Sequence, residues 1–460
     1  MLLTLLGFGM VMTFMTLIMT KRLSPLVVLV LVPIVFAALG GFAAGMGPMM
    51  LDGIRKIAPT GVMLMFAILY FGVMISAGMF DPVVGIILKL VKGDPLKIVI
   101  GSAALAALIS LDGDGSTTYM ITIAAMLPLY RRLKMNPLNL TCVAILASGI
   151  MNLTPWGGPT ARAASALHVD PGEVFVPMIP SMVVALIGLL LIATFLGLRE
   201  RRRLGQVSLP GTDGTASAGG NPFEAQRDET TSGEHLPIAG ESAENKEHWR
   251  RPRLLWVNLA LTTALMAALI LGVLPLPVLF MIGFAIAIII NYPDLQQQCQ
   301  LVAEYAPNAL AVVALIFAAG IFTGILSGTG MVEAMSRGLL AAIPHSMGPY
   351  MPTITAVLSL PLTFFMSNDA FYYGVLPILN EAAQAYGVSA VEMARASLVG
   401  QPVHLLSPLV PSTYLLVGLA GVDFGDHQRF TLKWATLVCL ILAVVSVFLG
   451  LFPLMGHVGG

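Results

Sequence analysis

The sequence predicts an all-α polytopic membrane protein, built as an inverted repeat with two re-entrant helical hairpins and two discontinuous helices. Three observations lead there. The chain has 460 residues, 57% of them hydrophobic and only 10% charged, where soluble domains carry about 25% charge. Apolar runs of bilayer length recur from end to end. Matching motifs appear in both halves at a constant offset. The balanced charge gives no basic face for nucleic acid. Cys142, Cys299 and Cys439 lie far apart, with neither metal-ligand nor disulfide spacing, and read as small apolar residues.

The apolar runs at 2–19, 23–44, 61–80, 174–198, 254–273, 276–292, 308–328 and 430–452 are candidate spans. The first has no basic region before it and no small-residue cleavage site, so it reads as a membrane helix rather than a signal. Four further stretches, 97–130, 138–167, 350–386 and 390–420, are apolar but interrupted by polar and helix-breaking residues. Lys and Arg set the orientation, because cytoplasmic loops are enriched in them. With the N-terminus outside, Lys21, Arg22, Lys89, Lys92, Lys97, Arg131, Arg132 and Lys134 fall inside. So do the Arg clusters at 199–203 and 250–253, with Arg429 and Lys433. Only Arg55, Lys56, Arg337 and Arg395 fall outside. This works only if 97–130 and 350–386 each enter and leave on one side, as re-entrant hairpins.

Residues 199–252 contain GTDGTASAGGNPFEAQRDETTSGEH, rich in Gly, Ser, Thr and Glu, and are expected to be a disordered cytoplasmic linker. They separate a first repeat, 1–198, from a second, 253–460. RKIAPTG at 55–61 matches AEYAPNA at 303–309, and GMFD at 78–81 matches GMVEA at 330–334. MLPLY at 126–130 matches VLPIL at 375–379, and LTPWGGPTA at 153–161 matches LSPLVPSTY at 406–414. The offset stays near 250 residues. The first half begins outside and the second inside, so the repeat is inverted. Secondary transporters have this architecture, with their sites near the midplane between the repeats.

Four polar elements should therefore meet at the centre: the hairpin tips DGDGSTT (112–118) and MSNDAFYYG (366–374), and the breaks NLTPWGGPTARAAS (152–165) and GQPVHLLSPLVPST (400–413). Each tip ends one helix and begins another. Ser116 and Thr117, or Ser367, Asn368 and Asp369, suit N-cap positions, and helix N-termini bind carboxylates. An Asp at membrane depth costs about 2.5–3.5 kcal/mol on insertion scales, so Asp112, Asp114 and Asp369 need a partner or a task. They read either as helix caps or as converging cation ligands; the full calcium-loop spacing is absent. Arg162 stands alone in GGPTARAAS, and its planar fork suits a substrate carboxylate or an ion pair with one of these aspartates. His404 reads as a proton carrier, a substrate ligand or a structural histidine. Trp156, Tyr372 and Tyr373 line the pocket or pack beside it, and Asp81 and Glu333 read as caps or gates.

GFGMVMTFMTLIMTKRLSPLVVLVLVPIVFAALGG at the N-terminus, LDGDGSTTY, NLTPWGGPTARAAS and SNDAFYYGVLPI together resemble the citrate–divalent metal–proton symporter family of the ion transporter superfamily. The resemblance spans essentially the whole chain except the linker. It implies proton-driven uptake of citrate complexed with a divalent metal of the Mg or Ca type. That metal is cargo, and no tightly bound cofactor is expected. It also implies an elevator-type motion of hairpins and broken helices against a scaffold, a homodimer, and a place in the inner (plasma) membrane bilayer. Related dicarboxylate carriers have Ser-Asn-Thr tips; Ser367-Asn368-Asp369 departs at its third position. On this reading the substrate side comprises Ser116, Thr117, Thr118, Asn152, Thr154, Gly157, Gly158, Thr160, Arg162, Ser367, Asn368, Ser407, Ser412 and Thr413. Asp112, Asp114, Asp369 and His404 face metal or protons. The alternative is a proton- or sodium-coupled carrier of gluconate or a dicarboxylate.

Other classes fit poorly. Intramembrane aspartyl proteases place their aspartates on separate helices, unlike Asp112 and Asp114. No His-Glu-x-x-His and no Walker-type phosphate loop occurs, which leaves zinc proteases and ATP-driven pumps without their motifs. The lone Arg162 argues against a sodium–proton antiporter.

Overall fold

The computed structural model describes residues 2–20, 22–91, 93–113, 115–204, 249–342 and 347–456. These residues form helices and no strand. The first half runs α1 (Leu2–Met19), α2 (Pro25–Leu39), α3 (Met46–Ser76), α4 (Asp81–Val91), α5 (Pro95–Ile109), α6 (Gly115–Arg132), α7 (Pro137–Met151), α8 (Gly158–Leu167), α9 (Pro171–Phe175) and α10 (Ile179–Leu204). The second runs α11 (Leu255–Ile270), α12 (Leu276–Asn291), α13 (Leu295–Gly328), α14 (Met331–Ala342), α15 (Met351–Phe365), α16 (Leu376–Gln384), α17 (Ala390–Leu398), α18 (Gln401–His404), α19 (Pro411–Ala420) and α20 (Phe424–Phe448). Among the described residues, six helical stretches are long and apolar enough to cross a membrane.

Helix starts follow from local chemistry. The carboxylate of Asp94 accepts the Leu96 N–H at 3.0 Å, and the amide oxygen of Asn136 accepts that of Leu138 at 2.9 Å. A proline follows each cap, where its missing N–H costs nothing. Ser389 and Glu392 form a reciprocal capping box at the start of α17.

Helices α3 and α13 hold 31 and 34 residues. At roughly 1.5 Å per residue they are about 46 and 51 Å long. That exceeds a hydrocarbon core of about 30 Å, so their ends reach past it, as the charged turn of α3 with Asp52, Arg55 and Lys56 suits. Their mutual contact is the broadest in the fold. It depends on glycine: a Cβ on Gly53 would overlap the Gly320 carbonyl oxygen and sit 2.8 Å from Gly324 Cα. Small residues let helix backbones approach this closely.

The expected hairpins appear as α5–α6 and α15–α16, and the expected broken helices as α7–α8 and α17–α19. Three differences stand out. Helix α3 begins well before residue 61 and α13 well before 308, because Pro59 and Pro307 lie inside continuous helices rather than at their boundaries. Short amphipathic helices α4 and α14 follow these long ones, and Asp81 and Glu333 occupy their first turns. Helix α10 continues through 199–204, with Arg201, Arg202 and Arg203 in a last turn that favours positive charge. The rest of the expected linker, 205–248, lies outside the described residues.

The second half is anchored to the first where it starts. Arg250 pairs with Asp81 at 2.7 Å, and the Arg251 N–H donates to the Ala77 carbonyl at 3.0 Å. Helix α11 is largely uncovered by protein, with Trp256 77% exposed. It is tied to α12 by a reciprocal amide pair between buried Asn258 and Asn291, at 2.8 Å in both directions.

Candidate functional site

The first tip is a tight reversal. A 3-10 turn over Ser110–Asp112 leads into Gly113, whose φ of +79° is left-handed and suits glycine. Trp156, from the break of the first discontinuous helix, covers this tip. Its indole N–H donates to the Leu111 carbonyl at 2.8 Å, and a Cβ on Gly113 would lie 3.0 Å from its ring. The hydroxyls of Ser110 and Thr118 meet at 3.1 Å and close the hairpin. Asp112 is buried in the turn, and Ser116 and Thr117 stand in the first turn of α6. Asp114 lies outside the described residues.

The two breaks are closed by one device. In the first, between α7 and α8, the Thr160 hydroxyl reaches back to the Leu153 carbonyl at 2.9 Å. In the second, between α18 and α19, the Thr413 hydroxyl reaches back to the Leu405 carbonyl. Asn152 caps the end of α7, and a Cβ on Gly157 would overlap its carbonyl oxygen. No side chain caps α8, whose start at Gly158 is built of glycine and proline. Ser407 accepts the Leu409 N–H at 3.2 Å. Ser412 opens α19 beside the first tip, 3.5 Å from where a Gly115 Cβ would be.

At the second tip Ser367 accepts the Ala370 N–H at 3.2 Å. Asp369 then leads into a π-helical segment, Ala370–Val375, before α16 begins. Such wide turns concentrate at functional sites.

The centre of the site is an ion pair between the halves. Arg162 on α8 donates from Nε to Asp369 Oδ1 at 2.6 Å. The two side chains are 21% and 12% exposed, so the pair is neither sealed in protein nor bathed in solvent. Arg162 has room because residue 158 is glycine; a Cβ there would sit 2.6 Å from Nη1. Nη1 and Nη2 of Arg162 and the second oxygen of Asp369 make no hydrogen bond to the described residues. Of the three aspartates, Arg162 is paired with Asp369, through Nε alone.

A polar network surrounds this pair. Gln401 donates to the Tyr372 hydroxyl at 2.7 Å and exchanges hydrogen bonds with Asn368, both at 3.3 Å. The Tyr373 hydroxyl lies 3.4 Å from that of Ser165, which donates to the Arg162 carbonyl at 3.1 Å. His404 Nδ1 lies 2.6 Å from the Thr363 carbonyl. A carbonyl only accepts, so Nδ1 carries a proton, and in the neutral ring Nε2 is the acceptor.

Some expectations take a different form. Among the described residues no three His, Cys, Asp or Glu side chains gather as a metal site. Among these residues Asp112 lies in its own tip beside Trp156 and Asp369 pairs with Arg162, and the third expected carboxylate, Asp114, lies outside them. The Thr160 and Thr413 hydroxyls donate to backbone and hold the breaks closed. Thr154 Oγ1 is buried without a hydrogen-bond partner among the described residues. Gln401 went unread as a site residue. Its only signal was a polar side chain in the Gly-Gln-Pro opening of the second break.

Residues 14–400 match the citrate transporter family. A protein of Bacillus subtilis (strain 168) named citrate transporter is 55% identical over 449 residues, covering 98% of this chain and 99% of that one. Another from the same organism, named Mg(2+)/citrate complex secondary transporter, is 52% identical over 97% of this chain and 98% of its own. Among solved structures, the Alcanivorax borkumensis YdaH transporter aligns with a TM-score of 0.57 over 90% of each chain at 15% identity. Neisseria gonorrhoeae MtrF aligns at 0.55 over 91% of this chain and 87% of its own, at 12% identity. At such identities the likeness shows the fold alone.

Proposed function

Because this chain belongs to the citrate transporter family, we propose that it imports citrate as a complex with a divalent metal ion, coupled to protons. The observation that carries this reading is the Arg162–Asp369 pair, which sets a guanidinium and a carboxylate side by side between the two halves. The relative named for a Mg(2+)/citrate complex supports the same cargo.

Charge supplies the physical argument. Free citrate carries about three negative charges at neutral pH, and unit charges 4 Å apart interact by about 4 kcal/mol at an effective dielectric of 20. A bound divalent ion leaves about one negative charge and adds a cationic face. The Arg162 fork and the starts of α6, α8 and α19 would hold carboxylates. Ser116, Thr117, Thr118, Asn152, Thr154, Ser367, Asn368, Ser407 and Ser412 would complete that side. Asp112, Asp114, Asp369 and His404 would face the metal or the coupled protons. Hairpins and broken helices would move together against α3 and α13, in a homodimer in the cell membrane. The N-terminus would lie outside, with 1–198 and 253–460 as inverted repeats and the connecting segment cytoplasmic.

The test is uptake of labelled citrate into proteoliposomes under an inward proton gradient, with magnesium, calcium, zinc or a chelator in separate runs. Uptake that requires a metal, stops with chelator and collapses with the proton gradient is expected. Uptake indifferent to metal, or driven only by sodium, would refute the reading.

A further inference from the structure

We propose that Asp369 makes this carrier demand a metal-complexed substrate, by neutralising Arg162 in the binding site. The inference rests on the metal–citrate reading and assigns its selectivity to one carboxylate.

Among the described residues, Asp369 is the only acid bonded to Arg162. The pair as a whole has no net charge, so a bare polycarboxylate gains little from approaching it. What it meets is the open Nη edge of Arg162 on one side and the free oxygen of Asp369 on the other. The first attracts it and the second repels it. A metal–carboxylate complex carries a cation next to a carboxylate. It can present the carboxylate to Arg162 and the cation to Asp369, so the same two charges reject one ligand and accept the other. Specificity is a difference of affinities, and an unpaired like charge is an effective way to exclude the competitor. The site is only partly exposed, so solvent screens these interactions incompletely.

Surrounding residues keep the pair in place rather than diluting it. Gly158 gives Arg162 its room, Ser367 fixes the backbone ahead of Asp369, and Gln401 holds the neighbouring Asn368. Asparagine at 369 would retain an oxygen for the Arg162 Nε–H while removing the charge. The pair would change from neutral to cationic with little change of shape.

The experiment is equilibrium binding of labelled citrate to the full chain in lipid nanodiscs, with excess magnesium or with chelator. The quantity read is the ratio of the two affinities. Wild-type protein should bind citrate with magnesium and bind it far more weakly with chelator. Asp369→Asn should bind metal-free citrate about tenfold or more tightly than wild type, and its magnesium preference should fall accordingly. Asp369→Glu should keep a magnesium preference. A purely structural role for Asp369 would lower both affinities together and leave the ratio unchanged, and that result overturns the proposal. Should Asp369→Asn fail to fold, Asp369→Ser gives the same reading, again judged by the ratio. Wild-type protein that binds neither form of citrate overturns the metal–citrate reading beneath this one. Wild-type protein that binds both equally overturns the selectivity while leaving citrate transport standing.

Discussion

Valine in place of Thr160 isolates the hydrogen bond that closes the first break. Thr160 is fully buried, and its hydroxyl donates to the Leu153 carbonyl at 2.9 Å. Valine has nearly the same shape but no donor, so packing is kept and one bond is lost. A net hydrogen bond contributes about 0.5–1.5 kcal/mol, and leaving a buried acceptor unsatisfied costs about 1–3 kcal/mol. Taking about 2 kcal/mol, a loss borne wholly by the ligand-binding geometry would weaken citrate binding about 30-fold. Thr413→Val removes the counterpart bond to Leu405 in the other half. It should behave alike, since Thr413 is equally buried. The control is Thr436→Val on α20, where an exposed hydroxyl donates to the Leu432 carbonyl within its own helix at 2.9 Å. The assays are the thermal unfolding midpoint by intrinsic tryptophan fluorescence and the citrate Kd, both in nanodiscs. Both break variants should unfold at lower temperature and bind more weakly than the control. If Thr160→Val and Thr413→Val are indistinguishable from Thr436→Val in both assays, the closing role assigned to these hydroxyls is wrong.

Other outcomes follow from the same geometry. Gly53→Leu should sharply lower the yield of folded protein by size-exclusion chromatography, since even a Cβ there meets the backbone of α13; Gly47→Leu on α3, with open space around it, should not. Gln401→Leu should leave folding measurable but weaken citrate binding about tenfold, because it releases both Asn368 and Tyr372 from one buried amide. A polar maleimide should label Cys299, which is exposed, and leave buried Cys142 and Cys439 untouched until the protein is denatured. In sealed cells that labelling should need a permeant reagent, since α13 starts on the proposed cytoplasmic side; labelling by an impermeant one would reverse the orientation.

The interruptions were legible in the sequence because they are written in residues that break helices. Asp112, Gly113 and Asp114, or Pro155, Gly157 and Gly158, cannot continue an apolar helix without cost. Their positions marked tips and breaks to within a few residues. The apolar run at 61–80 understates its helix, because α3 continues through Pro59 and the polar turn before it. The amphipathic helices α4 and α14 went unread, since 11 and 12 residues of mixed polarity fall below the length that marks a span. The site was readable as a set of elements, not as a set of contacts. Arg162 had three aspartates to choose among, and only the packing of α8 against the second hairpin selects Asp369. Gln401 gave no sequence pattern of its own, because its importance lies in the two partners it joins across 29 and 33 residues of chain.

The reciprocal amides of Asn258 and Asn291 bear on how the second half is made. Helix α11 emerges first from the ribosome and brings Asn258, in its first turn, to the edge of the bilayer with little protein to cover it. A buried amide left unmatched is disfavoured, and interhelical hydrogen bonds in membranes average about 0.6 kcal/mol each. Asn291 arrives one helix later and satisfies both amides at once. A nascent chain that waits for α12 can release the two helices into the bilayer as one unit, already in register. Asn258→Leu would then insert α11 sooner and alone. Its cost should appear as misassembled protein during synthesis rather than as weaker binding by the molecules that fold.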